Sequence, residues 1–277
     1  MINFLHNFFP QPIIINFGPF ALHWYGLFIS LGILAALLIT IHLGKKYFHL
    51  NSEKIIDLSF YLIIFGLIGA RLYDVLLFFP YYLDNPLQIL KIWQGGLAIH
   101  GAIIAGLIVV YFFAKKANLS FFKITALLVP GLALGQAIGR FGNYFNQELF
   151  GLPTNLPWGI PIEIINRPLG YLNYTYFQPT FLYESIGSFL IFIGLIIMIK
   201  KIHKNKKSDL TLKRGYVVVT VTYMILYSIL RFFLEFIRLD DTLIFLNLRW
   251  PQIISLFFIF VAIFTLIFYF HVSKKNQ

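Results

Sequence analysis

Seven apolar stretches of about 20 residues recur along this chain, and no other feature restricts its fold as strongly. A helix of about 20 residues covers the roughly 30 Å hydrocarbon core of a bilayer. Runs and breakers place the spans at residues 21–43, 54–79, 95–116, 121–138, 180–201, 215–236 and 251–272. The expected fold is all-α, a polytopic integral membrane protein of about seven transmembrane helices forming a single domain over residues 1–277. A very aromatic soluble core is the rival reading for a chain with 32 Phe and 16 Tyr. With only 12% charged residues there is too little charge to cover a soluble surface, and the span-length runs decide for the bilayer. Residues 139–179 are rich in Pro, Gly, Asn and Tyr and predict an ordered extracytoplasmic excursion. The first twenty residues hold no Lys or Arg, so the basic start of a secretory signal is missing and the first apolar stretch is expected to be retained.

A net charge of +11 would suit nucleic acid if it lay on one amphipathic face. Instead the lysines sit in short clusters between apolar runs, as topology signals do. One set of alternate segments carries Lys45, Lys46, Lys54, Lys115, Lys116, Lys123, Lys200, Lys201, Lys204, Lys206, Lys207, Lys213, Arg214, Lys274 and Lys275, 15 of the 22 basic residues. The positive-inside rule then expects the N-terminus outside and the C-terminus in the cytoplasm. Arginine breaks the pattern, because Arg71, Arg140, Arg167, Arg231, Arg238 and Arg249, six of seven, fall on the outer half. A guanidinium is a flat fork that grips phosphate or carboxylate through two parallel hydrogen bonds, whereas ammonium is a compact point charge. An outward-facing phosphate site is the expectation. The chain has no Cys, so any thiol chemistry must come from a partner.

Charge inside a membrane costs about 2.5–3.5 kcal/mol per residue on insertion scales, so each such group should have a partner and a task. In the sixth span Tyr227, Arg231, Glu235 and Arg238 follow at spacings of four, four and three, along one helical stripe. Read blandly this is a ladder in which Glu235 neutralises its neighbours; read functionally, two cations against one anion leave positive charge for a ligand. Arg71 and Asp74 lie three apart at the end of the second span, where a local salt bridge, a snorkelling arginine and substrate contact are all open. Trp24 and Tyr25 fit an interfacial aromatic belt, and Tyr25 equally fits the site. His100, in Gly95-Gly-Leu-Ala-Ile-His-Gly101, suits a general base or a packed, hydrogen-bonded histidine. The other histidines show no metal-ligand spacing near it, so no metal is expected. Gly131, Gly135 and Gly139 form a small-residue stripe for close helix contact, running into Arg140. The segment Gly139-Arg-Phe-Gly-Asn-Tyr-Phe-Asn-Gln-Glu-Leu-Phe-Gly151 gathers Arg140, Asn143, Asn146, Gln147 and Glu148, donors and acceptors suited to phosphate and glycerol oxygens.

That segment resembles the signature of bacterial phosphatidylglycerol–prolipoprotein diacylglyceryl transferases. The likeness continues through His23-Trp-Tyr-Gly26, Gly69-Ala-Arg-Leu72, Gly95 to Gly101, Gln178-Pro-Thr-Phe-Leu-Tyr-Glu184, Tyr227 to Glu235 and Gln252, in the same order. The resemblance implies a cofactor-free enzyme of the bacterial cell membrane that moves a diacylglyceryl group from phosphatidylglycerol to the lipobox Cys thiol of a preprolipoprotein. It implies Arg140 and Arg231 for phospholipid binding and catalysis, with His100, Tyr25, Asn143, Asn146, Glu148, Gly151, Tyr227, Glu235 and Arg238 in the same site. Two positions depart from the family pattern. Gln178 stands where the family commonly has His, so this position offers no acid or base, and Ala102 replaces a Gly often found after the histidine. Two other classes compete: a transporter for an anionic solute, which should show an internal repeat and charges along a through-path, and a lipid-binding scaffold, which would not need His100 or Glu148. No repeat is visible, and the arginines gather toward one side.

Overall fold

A computed structural model of the protein describes residues 2–18, 20–205 and 208–275. Lys206 and Lys207, both in the charge count above, lie outside the described residues. A short helix α1 (Ile2–Asn7) and an antiparallel hairpin, β1 (Ile13–Phe17) with β2 (Phe20–His23), lead into the first long helix α2 (Trp24–Leu43). Helices α3 (Ser52–Leu77), α4 (Phe79–Asp84), α5 (Ile99–Lys116) and α6 (Phe121–Phe145) follow. Beyond α6, short strands β3 (Ile160–Pro161) and β4 (Tyr176–Phe177) pair antiparallel, and then come α7 (Thr180–Lys204) and α8 (Asp209–Leu234). A final hairpin, β5 (Ile244–Phe245) with β6 (Leu248–Arg249), precedes α9 (Trp250–Lys275). Among the described residues, seven helices are long and apolar enough to cross a membrane, namely α2, α3, α5, α6, α7, α8 and α9. They carry bulky apolar side chains that point outward, such as Phe60, Phe112, Phe260 and Phe264, as lipid solvent allows and water does not.

The chain divides into two compact units, Met1–Ile39 with Leu128–Gln277, and Thr40–Leu127. In the first, α7 packs on α8 and α8 on α9, and the expected glycine stripe of α6 finds its partner in α2. A Cβ on Gly32 would stand 3.0 Å from the carbonyl oxygen of Gly135, and one on Gly135 would stand 3.3 Å from that of Gly32. Small residues are what let two helix backbones come this close where no hydrophobic effect drives association. In the second unit α3 packs on α5, with Gly69 and Gly101 at their contact.

Several boundaries differ from the sequence reading by two to seven residues, and two of them bear on the site. The fourth span continues helically to Phe145, so Arg140 and Asn143 project from a helix. Gly142 in this extension serves contact: a Cβ there would stand 2.8 Å from the Tyr25 ring. In lipid, helix also satisfies each N–H that a loop would leave unpaired. The third span begins at Ile99, because Gly95 and Gly96 take left-handed backbone angles, φ 96° and 71°. Residues 146–179 pack on a small core of Tyr144, Phe150, Ile160, Ile162, Phe177 and Phe181. Buried Gln147 ties this segment to the N-terminal residues: its amide donates to the Pro10 carbonyl (2.8 Å), and its carbonyl accepts from the backbone N–H of Glu163 (2.7 Å). His6 stacks on Tyr176 with ring centroids 3.9 Å apart, and its Nδ1 is 3.0 Å from the Gly159 carbonyl.

Candidate active site around a shared carboxylate

At the end of the first unit where α6 and α8 finish and α7 begins, four arginines converge on three carboxylates. Helix α7 supplies Glu184, which is 2% exposed. Its Oε1 accepts from Arg140 of α6 (2.7 Å) and from the Tyr227 hydroxyl of α8 (3.1 Å). Its Oε2 accepts from Arg231 of α8 (3.3 Å), with Arg238 at 3.9 Å. One carboxylate thus spaces the two arginines on which the sequence reading centred. A charge so buried is tolerable only when paired and hydrogen-bonded on both oxygens, as it is here.

Glu235, one turn beyond Arg231, is fully buried and accepts from Arg231 through Oε2 (3.0 Å) and from Arg249 through Oε1 (3.0 Å). Arg238 pairs with Asp240 at 2.7 Å. The stripe read from spacing holds on α8 for Tyr227 and Arg231 and reaches Glu235 at its C-cap, whereas Arg238 lies past the helix end, bridged to Gly151, and the charge balance is wider than two cations against one anion. At ion-pair distance, Arg140, Arg231, Arg238 and Arg249 face Glu184, Glu235 and Asp240, an excess of one positive charge among the described residues. Arg140 and Arg231 each commit single N–H groups of their terminal nitrogens to protein acceptors, and a guanidinium has five. Both stay partly accessible, with side chains 22% and 16% exposed.

A polar relay leaves Arg140 in the other direction. Its Nη1 donates to Asn143 Oδ1 (3.0 Å), and Asn143 Nδ2 donates to exposed Glu148 (2.7 Å). This orients the Asn143 amide and holds Glu148 at the mouth of the cluster. Tyr25 is partly exposed, its ring lies against Gly142, and it sits within electrostatic reach of Glu148 and Arg140. Asn146 caps the turn after α6 through its backbone N–H to Gly142 (3.1 Å).

Gly151 has a steric reason to be glycine. Its N–H donates to the Gln178 carbonyl (2.9 Å), and it bridges Arg238 across the chain. A Cβ there would stand 3.0 Å from the Ile237 carbonyl, Gln178 Cβ and Thr180 Cγ2. Gly151→Ala should therefore displace the backbone beside Arg238 and cost about 1–3 kcal/mol, as overpacking does. Activity should fall about tenfold and the melting point in detergent should drop by several degrees; wild-type rate and melting would contradict this.

His100 and Arg71 belong to the second unit. His100 is the second residue of α5, exposed, with its ring 5.8 Å from that of Tyr73. Arg71 is buried and occupied by the chain itself. Nε donates to the Ile89 carbonyl (2.9 Å), Nη1 to those of Gly95 and Gly96 (2.8 Å each), and Nη2 to that of Gln88. Asp74 lies 3.8 Å away and accepts from the Tyr82 hydroxyl, which raises the Tyr82 pKa. Of the readings left open for Arg71, its contacts describe the local one: it holds the turn before α5, and a fork spent on four carbonyls has little left for substrate.

Three participants had no assigned place in the site: Glu184, Asp240 and Arg249. Glu184 had a signal, since it is the one acidic residue of an otherwise apolar span.

A family model described as "Prolipoprotein diacylglyceryl transferase" matches residues 12–268. Among similar curated proteins, the phosphatidylglycerol–prolipoprotein diacylglyceryl transferase of Synechococcus elongatus is 40% identical over 247 residues, covering 89% of this chain and 83% of the relative. The protein of the same name from Nostoc sp. is 40% identical over 247 residues, with 89% and 85% covered, and that from Synechocystis sp. is 41% identical with the same coverage.

Proposed function

The chain belongs to the prolipoprotein diacylglyceryl transferase family, and from that premise we propose how its residues move a diacylglyceryl group from phosphatidylglycerol to a prolipoprotein, the first step of lipoprotein maturation. The acceptor is the lipobox Cys thiol of the preprolipoprotein, and the site faces the outer leaflet of the bacterial cell membrane. The thiol gives up its proton and its sulfur forms a bond to the terminal glycerol carbon of the diacylglyceryl group. The bond from that carbon to the phosphate oxygen breaks, and glycerol phosphate leaves with the electron pair.

One observation supports this reading most: Arg140 and Arg231 hold the two oxygens of the same buried carboxylate at 2.7 and 3.3 Å, so their forks are fixed side by side. A phosphodiester set beside them receives hydrogen bonds from both. Negative charge builds on the phosphate as the carbon–oxygen bond breaks, and donors already in place stabilise that charge without reorganising. Glu184 and Glu235 set the spacing, and Asn143 and Glu148 orient Arg140 from its other side. Tyr25, Asn146, Gly151, Tyr227 and Arg238 complete the phospholipid site. A guanidinium-rich site also favours the thiolate form of an incoming Cys, whose ordinary pKa is about 8.5.

His100, which the family likeness places in the site, is the residue given the role of accepting the thiol proton. His100→Gln should lower kcat about 100-fold near neutral pH, within the range of general-base contributions, and the deficit should shrink as pH rises through the thiol pKa. A normal rate across the whole pH range would remove the base. The function itself is tested with purified protein in lipid, labelled phosphatidylglycerol and a lipobox peptide. Label should appear on the peptide Cys as a thioether with one glycerol phosphate released per transfer, and solute flux without transfer would support a transporter instead.

A further inference from the structure

Arg249, its side chain 22% exposed, directs each of its side-chain nitrogens to a protein acceptor. Arg249 sits on β6, paired across the hairpin with Ile244, and its backbone N–H donates to the side-chain Oε1 of buried Gln252 at 2.9 Å. Its side chain reaches back to the end of α8, where Nε donates to Glu235 Oε1 (3.0 Å), Nη1 to the Arg238 carbonyl (2.7 Å) and Nη2 to the Asp240 carbonyl (2.5 Å). Nη2 is also 3.7 Å from the Asp240 carboxylate. All three nitrogens are thus turned to protein acceptors.

We propose that Arg249 is a positioning residue for phospholipid binding: by taking up charge from Glu235 and Asp240 it keeps one guanidinium in excess and leaves Arg231 able to engage an anionic headgroup. This rests on the phosphodiester reading above. With Arg249 the cluster holds four guanidiniums against three carboxylates, and without it three against three. Exposed Glu148 stands at the cluster mouth in both arrangements, and a singly charged phosphodiester leaving water for this partly buried site is attracted more strongly by the first, which carries one more positive charge than the second. The effect falls first on Arg231, because Glu235 is its i+4 neighbour and, among the described residues, would have no other cation within 3.5 Å once Arg249 is removed.

The test uses the full-length protein in lipid, measuring kcat and KM for phosphatidylglycerol with a saturating lipobox peptide. Arg249→Gln should raise KM about tenfold while changing kcat less. Arg249→Lys keeps the charge but not the three-point contact, and should stay within about threefold of wild type. Adding Asp240→Asn to Arg249→Gln restores the excess charge and should return KM to within about threefold. A loop brace alone would be disturbed by Gln and Lys alike and would not be rescued by Asp240→Asn, so that pattern overturns the proposal, as does a wild-type KM for Arg249→Gln. Should Arg249→Gln fail to fold, Asp240→Asn in the wild-type background carries the test: the excess rises to two and KM should fall, and an unchanged or higher KM overturns the assignment. Arg140→Lys measured alongside separates the two ideas. If it is fully active, the phosphodiester reading itself fails; if it is inactive while Arg249→Gln has a wild-type KM, only the role of Arg249 fails.

Discussion

Glu184→Gln is expected to leave less than about one hundredth of the transfer rate, a loss of at least about 2.7 kcal/mol of transition-state stabilisation. The residue is 2% exposed and faces Arg140, Arg231 and Arg238. Gln fills the same space but removes a negative charge that lies within 4 Å of all three. Breaking a buried ion pair by neutralising one partner costs about 3–5 kcal/mol, since the remaining charge stays buried without compensation. The arginines would be expected to turn toward Glu235 and Asp240 and lose the spacing that suits a phosphodiester. Glu184→Asp keeps the charge on a shorter arm and should fall between Gln and wild type. Initial rates together with melting in detergent check this, and a Gln variant with more than half the wild-type rate would refute the role given to Glu184.

Arg140→Lys should be nearly as damaging, with kcat/KM down about 100-fold. Arg140 reaches Asn143 through one terminal nitrogen and Glu184 through the other. Both bonds come from one planar group, and that plane is what holds the remaining N–H groups toward a ligand. Lysine carries the same charge on a single nitrogen, so it satisfies Glu184 or Asn143 without fixing the direction of what is left. Lys115→Ala, at the far end of α5, removes a charge that the sequence assigns to topology and should change the rate less than about twofold. Equal tolerance at the two positions would contradict the phosphate role of Arg140.

Much of this was legible in the residues. Span-length apolar runs located all seven crossing helices, because a bilayer demands both length and apolarity from each. The Tyr227 to Glu235 stripe followed from helical spacing, while Arg238 lies past the end of α8. Spacing within a helix cannot show which distant helix supplies the counter-charge, and so Glu184 and Arg249, which decide how the stripe is balanced, emerged only from tertiary contact. The helical run past residue 138 was hidden for a related reason. Gly142 looks like a helix breaker until Tyr25 is seen filling the space where its side chain would be. Arg71 lost its ligand reading in the same way, since carbonyls of a turn seventeen to twenty-five residues later carry no mark in the sequence.

The Gln147 tie has a consequence for the order of assembly. Pro10 waits for a partner 137 positions downstream, and His6 for one 153 positions downstream. At ribosomal speeds of about 5–20 residues per second, the leading segment spends many seconds undocked while the first four spans are already being threaded into lipid. Its seat on the later polar segment is thus a late event of biogenesis, a closing clasp rather than a nucleus, and shortening that segment should leave insertion intact while slowing the last step of maturation.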